Sequence, residues 1–270
     1  GSINLLAGIA DTGGLSAFVA AYSDEYASAL RSYLAAQVGH GRTVAIGVTP
    51  AQQFASLDTK DQVRFAAEVL FDQLQQSGVA ASSPDSGQFE DYSQGFTAIE
   101  TFFPGMNYDG DVRTPLSTVQ TREGGSIRVL APGGIVDAGL TATEGVGGSG
   151  SFKSDNQLGF IVFREGDINA FVHDDFNVNS TRVFAQQGGD ILIWSSTGDI
   201  DAGRGAKSAA TIDVPAPSFD AFGNFLDKPP LQVVGSGIRN FAPSDIEPGT
   251  LYLFAPRGII DAGDAGIGSA

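Results

Sequence analysis

One phrase of residues recurs along this chain, and it constrains the fold more than any other feature. Its fullest copy is Gly188-Gly189-Asp190-Ile191-Leu192-Ile193-Trp194-Ser195-Ser196-Thr197-Gly198-Asp199-Ile200-Asp201-Ala202-Gly203-Arg204-Gly205. It runs Gly-Gly, an apolar stretch, a turn, then Ile-Asp-Ala-Gly. Residues 124–139 and 249–263 repeat it, and residues 1–8 carry a truncated copy. A unit of this kind cannot bury its own apolar face and must stack on its neighbours. Gly166-Asp167-Ile168 and Gly189-Asp190-Ile191 are 23 residues apart. A coil of about 20–25 residues with three short strands fits a parallel β-helix. Antiparallel sandwiches also supply many short strands, but they need not repeat one phrase.

Taken in order, residues 1–10 read as a first rung, with Ile3-Asn4-Leu5-Leu6-Ala7 as its strand. The period then changes. Phe18, Ala21, Tyr22, Tyr26, Ala29, Leu30, Tyr33 and Leu34 recur at three- and four-residue steps, which predicts one amphipathic helix over 15–38. Thr49-Pro50 reads as a helix start, with Thr49 as cap and a short helix to about Leu57. Thr59 with Gln62 reads as a capping box for a helix that Gly78 ends. A last helix over 92–103 stops at Pro104. Residues 11–104 are therefore expected to form an all-helical insertion. From 105 to 270 the β pattern returns, with strands expected at 126–130, 135–136, 160–163, 168–172, 176–178, 182–184, 191–194 and 200. Residues 206–234, with Asp213-Val214-Pro215-Ala216-Pro217 and Lys228-Pro229-Pro230, depart from it as a loop excursion. The chain opens in mid-repeat and ends on a rung edge, as expected of a section of a longer rod.

The bulk numbers set limits on function. The chain has 270 residues, 42% hydrophobic and 17% charged, which suits a folded protein. A net charge of −16 repels nucleic acid and anionic membrane surfaces. There are no cysteines, so disulfides, thiolate metal sites and cysteine nucleophiles are excluded. No apolar run approaches the ~20 residues of a membrane-spanning helix.

Catalytic chemistry has few candidates. His40 lies in a Gly-rich loop, and His173 precedes Asp174 and Asp175. A His-Asp-Asp cluster has the groups for a metal or for acid–base work, and also for a solvated turn. Ser195 and Ser196 lack a nucleophile-elbow sequence. A polysaccharide lyase or glycosidase on a β-helix groove would need clustered carboxylates: Asp137, Asp174, Asp175, Asp199, Asp201 and Asp261, with Arg204 as a base. Asp137, Asp201 and Asp261 occupy equivalent repeat positions, which favours a turn role over catalysis. Calcium is the best metal guess, through Asp199, Asp201, Asp261 and Asp264. Their spacing matches neither an EF-hand loop nor the nonapeptide repeat, so no metal is expected. Trp194 sits in an apolar run and is expected to pack, as are Tyr22, Tyr26 and Tyr33 on one helical side.

Residues 175–184 and 188–207, with the tail Ala255-Pro256-Arg257-Gly258-Ile259-Ile260-Asp261-Ala262-Gly263-Asp264-Ala265-Gly266-Ile267, resemble a domain near the C-terminal end of filamentous haemagglutinin-like large exoproteins. The helical stretch is similar to its counterpart there at 63–78 and at 98–104. The resemblance implies a right-handed parallel β-helix belonging to an adhesin exported by two-partner secretion. It implies a secreted or cell-surface location, a surface glycan or protein receptor, and for the full-length parent an outer-membrane secretion pore. It carries over no catalytic residue, metal or cofactor, and the expectation is a non-enzymatic scaffold. A polysaccharide-acting enzyme and a purely structural or processing segment are the alternatives.

Overall fold

The computed structural model describes residues 1–9, 14–39, 49–106, 108–139, 158–204, 218–219, 225–226, 235–242 and 245–269. The chain divides into two compact units, Gly1–Gly8 with Asp109–Ala270, and Ile9–Tyr108.

The first unit is built in rungs of three strands. The first rung has β1 (Ile3–Leu6), β2 (Val112–Arg113) and β3 (Thr118–Thr121). The second has β4 (Ile127–Ala131), β5 (Val136–Asp137) and β6 (Gly159–Val162). The third has β7 (Ile168–Val172), β8 (Phe176–Asn177) and β9 (Arg182–Gln186). The fourth has β10 (Ile191–Ser195), β11 (Ile200–Asp201) and, after the short antiparallel pair β12 (Ser218–Phe219) and β13 (Phe225–Leu226), β14 (Gly237–Phe241). The fifth has β15 (Leu251–Phe254), β16 (Ile260–Asp261) and β17 (Ile267–Ser269). Equivalent strands pair in parallel into three five-stranded sheets: β1-β4-β7-β10-β15, β2-β5-β8-β11-β16 and β3-β6-β9-β14-β17. This is a parallel β-helix. Apart from β12 and β13, the excursion expected at 206–234 lies outside the described residues.

Alternation along each strand decides what fills the bore. The first sheet sends in Ile3, Ile127, Ile168, Ile191 and Leu251, in register. The second sends in Val112, Val136, Phe176, Ile200 and Ile260. The third sends in Val119, Phe160, Val183, Ile238 and Ile267. In the middle rungs these side chains are fully buried, each worth about 1.5–3 kcal/mol. Ile260 aligns with Ile200 yet is 42% exposed, because β16 is the last strand of its sheet.

The glycines of the repeated phrase answer to close stacking at the corners. A Cβ on Gly189 would stand 2.1 Å from the Gly166 carbonyl oxygen, and one on Gly249 would stand 2.2 Å from that of Gly189. Only a hydrogen fits between these rungs. At the corner after the second sheet the need is conformational: Gly203 has φ +89°. One rung back the same corner is Asn179 at φ +57°, asparagine being a side-chain-bearing residue that tolerates this region.

Among the described residues the second unit packs five α-helices: α1 (Leu15–Tyr22), α2 (Ala27–Gly39), α3 (Pro50–Ala55), α4 (Thr59–Ser82) and α5 (Ser93–Phe102). Its buried side chains include Phe18, Phe54, Leu70, Leu74, Ile99, Phe102 and Phe103. Phe18 and Phe102 rings lie 4.9 Å apart, and Phe102 and Phe103 rings 4.6 Å apart. Thr49 and Gln52 form a reciprocal capping box at the start of α3.

Three expectations fail here for physical reasons. The single helix over 15–38 is broken into α1 and α2 around Ser23-Asp24, residues that compete with helical hydrogen bonding. The break turns Glu25 and Tyr26 toward Gln73 and Asp72 of α4. Thr59 does not cap: Asp58 takes the N-cap position, and Gln62 Nε2 instead donates back to the Leu57 and Ala55 carbonyls, at 2.7 and 3.2 Å. Gly78 does not end α4, which runs on to Ser82. Ser77, Gly78 and Gly95 are buried, and Ser77 Oγ accepts the Gly95 N–H at 3.0 Å. Close approach to α5 outweighs the ~1 kcal/mol that a glycine costs a helix.

Candidate functional site

The corner between the first and second sheets of rung three gathers the groups richest in chemistry. β7 ends at Val172, and His173, Asp174 and Asp175 make the turn into β8. His173 Nδ1 lies 2.8 Å from Asp174 Oδ1, both side chains being partly exposed. The same carboxylate oxygen accepts the Thr197 hydroxyl at 3.1 Å, and the Asp174 carbonyl accepts Ser195 Oγ at 2.6 Å. Asp175 is turned elsewhere: its Oδ1 accepts the Asp199 N–H at 2.8 Å. The two acids therefore do not converge. Ser195 is buried and directed at a backbone carbonyl, and buried Ser196 accepts from Trp194 Nε1 at 3.2 Å. The His–Asp pair is thus a corner clasp, joined to rung four through Thr197, which also donates to the His173 carbonyl at 2.8 Å.

The other carboxylates spread along the outer face of the second sheet. Arg113, Asp137, Asn177, Asp201 and Asp261 form one ladder there. Asp201 Oδ1 accepts the Gly203 N–H at 2.7 Å, and Asp261 Oδ1 accepts the Gly263 N–H at 2.8 Å. Both are turn contacts within one rung. Asp137 differs: it accepts Asn177 Nδ2 at 3.2 Å and lies 3.9 Å from Arg113 Nε. Asp199 Oδ1 accepts the Ile259 N–H at 2.7 Å. Asp264 and Arg204 are exposed. Among the described residues no group of three or more His, Asp or Glu could hold a metal ion. His40 and Gly205 lie outside the described residues.

The aromatic candidates pack. Trp194 is fully buried on the ladder Leu6–Leu130–Phe171–Trp194–Phe254, on the face of the first sheet opposite the bore. Tyr22 packs against Phe18 with tilted rings 4.6 Å apart, and Tyr33 donates to the Asp61 carbonyl at 2.7 Å. Tyr26 donates to Asp72 at 2.5 Å and accepts Gln73 Nε2 at 2.8 Å. Burial, then the Asp72 partner, raises its phenol well above the usual range. Burial alone lowers Arg182 to about 10, and its guanidinium stands 5.7 Å from the Phe184 ring centre.

One presented segment was not singled out by the sequence. The connection between α4 and α5 carries Phe89, 50% exposed, among exposed Asp85, Glu90 and Asp91. It is tied down by Ser86 Oγ to the Ala80 carbonyl at 2.6 Å and by Glu90 N–H to the Ala81 carbonyl at 2.8 Å. Ser93 N–H donates to Asp91 Oδ1 at 2.9 Å, and hydrogen bonds from Ser93 lower the Asp91 carboxyl. In sequence, residues 79–88 read only as a Ser/Pro/Gly/Asp link.

The recurring groups of the coil described above are thus engaged in turn, corner and packing contacts. Residues 188–270, a little under a third of the chain, match the family described as filamentous haemagglutinin family outer membrane protein. That match covers rungs four and five. No curated protein and no solved structure matches the chain. Among the described residues no helix is long and apolar enough to cross a membrane.

Proposed function

We propose that the chain is a section of a secreted, surface-associated filamentous haemagglutinin-like adhesin, with the coil as a rigid, non-enzymatic scaffold for adhesion. The observation that carries this reading is the position of the family match: it falls on the stacked rungs themselves, at 188–270. In this reading the coil winds right-handed, residues 11–104 are an insertion, and the loops make the contacts. A parallel coil suits that task because stacked rungs share backbone hydrogen bonds and apolar ladders, giving stiffness without disulfides. The partners are a glycan or protein receptor on a host or neighbouring cell, adjacent rungs of the parent chain, and the outer-membrane pore that exports the parent. The acidic surface argues against nucleic acid.

The test is binding of the whole 270-residue chain to a glycan array and to intact cells. Saturable binding supports adhesion. No binding at high concentration sinks it and leaves a purely structural segment. A polysaccharide-cleavage assay, repeated on a His173→Ala/Asp175→Ala double variant, addresses the enzymatic alternative: cleavage lost with these side chains would contradict the scaffold.

A further inference from the structure

At two of the three corners a side-chain oxygen of one rung accepts a backbone N–H of the next. Entering the first sheet, Ser2, Ser126, Asp167, Asp190 and Thr250 stack one above another. Ser2 Oγ accepts the Ser126 N–H at 3.2 Å, and Ser126 Oγ accepts the Asp167 N–H at 3.1 Å. Asp167 Oδ1 accepts the Asp190 N–H at 3.0 Å, and Asp190 Oδ1 accepts the Thr250 N–H at 2.7 Å. Entering the second sheet, Asp111 Oδ1 accepts the Ile135 N–H at 3.1 Å. Asp175 and Asp199 then accept from Asp199 and Ile259, at 2.8 and 2.7 Å. Each time the oxygen belongs to one rung and the N–H to the next. Asp201 and Asp261, by contrast, bond within their own rungs.

The contour lengths these bonds close differ widely. Where one rung runs straight into the next, donor and acceptor are 23 or 24 residues apart. Where the coil is interrupted, they are 41, 60 and 124 apart. The same contact forms at every length. The interruption is tolerable because closure weakens only by roughly threefold for each doubling of loop length.

Apolar ladders alone leave one ambiguity. A slip of one residue exchanges the two faces of a strand and is strongly excluded. A slip of two keeps every apolar side chain in the bore. It would, however, carry the Thr250 N–H away from the Asp190 carboxylate. A charge-assisted bond to a backbone N–H is short and directional, so it distinguishes the two registers.

We infer that Asp190 and Asp199 form a register clamp, two acceptors fixed on rung four that capture the returning chain at Thr250 and Ile259 and set the pairing of rung five. Ser126, Asp167, Asp111 and Asp175 do the same for the rungs below. The clamp belongs to the coil and is independent of any ligand the loops carry. Its consequence is that a corner beyond a clamp accepts long insertions at a slowly growing closure cost, since the register is reset where the chain returns.

Residue-resolved amide exchange on the full chain tests this. Asp190→Ala should speed exchange at Thr250, and Asp199→Ala at Ile259, by at least about tenfold, spreading into β15 and β16 and sparing β4 and β7. Asp190→Asn and Asp199→Asn should stay within about threefold of the native rates, because the amide oxygen still accepts. Asp201→Ala should disturb Gly203 alone. Unchanged protection at Thr250 and Ile259 in the alanine variants would overturn the clamp, and so would asparagine variants that lose protection as fully as alanine. If the double alanine variant does not fold, native exchange in Asp190→Asn/Asp199→Asn supports the clamp and its loss contradicts it.

Discussion

In the coil, Phe176 is held between Val136 and Ile200, its own equivalents one rung to either side. In the helical unit, Phe102 is held by Phe18, from a different helix, and by Phe103, its own chain neighbour, with no repeat relating the three. The first kind of core is specified by repetition: one strand's alternation, applied five times, fills the bore. The second is specified by shape, residue by residue. Polar groups follow the same division. The coil's acids serve corners that recur, whereas Tyr26, Asp72, Gln73 and Glu25 form one network that occurs once.

Truncating the two phenylalanines should have the largest effects. Phe176→Ala and Phe102→Ala should each cost about 3–5 kcal/mol in urea denaturation, through lost burial and a residual cavity. The single tryptophan, Trp194, lies in the coil and reports it by fluorescence, while circular dichroism at 222 nm follows the helices. Phe176→Ala should move the fluorescence transition first, and Phe102→Ala the dichroism transition first. The reverse assignment would break the comparison.

Glycine substitution sharpens it at the next level. A Cβ on Gly203 would sit 1.8 Å from the Asn179 carbonyl oxygen, at φ +89°. Gly87, in the helical unit, has φ +72° with nothing within 4 Å. Gly203→Ala should therefore cost at least about 2–3 kcal/mol, from clash and backbone strain together. Gly87→Ala should cost about 1 kcal/mol, from the backbone alone. Equal losses would mean that rung stacking does not exclude a side chain at the corner. Thr49→Ala removes one cap and should lower the helical unit by about 1 kcal/mol without moving the Trp194 transition.

The smallest effect is a slope. The Tyr26 phenol is raised from its ordinary value of 10.0, first by burial and then by Asp72. Above pH 10 the unfolded chain releases this proton while the folded chain keeps it, so stability falls as pH rises there. Tyr26→Phe should flatten that fall in the helical transition. An unaltered slope would show that the phenol titrates freely in the folded protein.

Repetition also explains what could be read beforehand. The strands at 127–131, 168–172 and 191–195 were legible because Gly-x-Ile and alternating apolar residues recur at a fixed spacing. β2 and β3 were not, since each carries a single apolar inward residue, Val112 and Val119. Helix ends were the least legible. Gly78 reads as a stop by local preference, yet α4 runs through it to Ser82 where Ser77 bonds Gly95 of α5. Asp201 and Asp261 make the turn contacts their position suggested, yet Asp137 at the same position turns to Asn177. The clamps were hidden because their acceptors are variously Ser and Asp, and because a backbone N–H donor leaves no mark in a sequence.

The most direct test of the stacked coil uses the absence of cysteine. Asp201 and Asp261 are parallel partners on rungs four and five, 60 residues apart in sequence. Adjacent strands about 4.8 Å apart fall within disulfide range, whereas a two-residue offset puts the Cα atoms more than ~7 Å apart. Under mild oxidation, Asp201→Cys/Asp261→Cys should close to a single cross-linked species, and Asp201→Cys/Ile259→Cys should stay reduced. Equal or faster closure of the offset pair would contradict the register on which the five-rung coil rests.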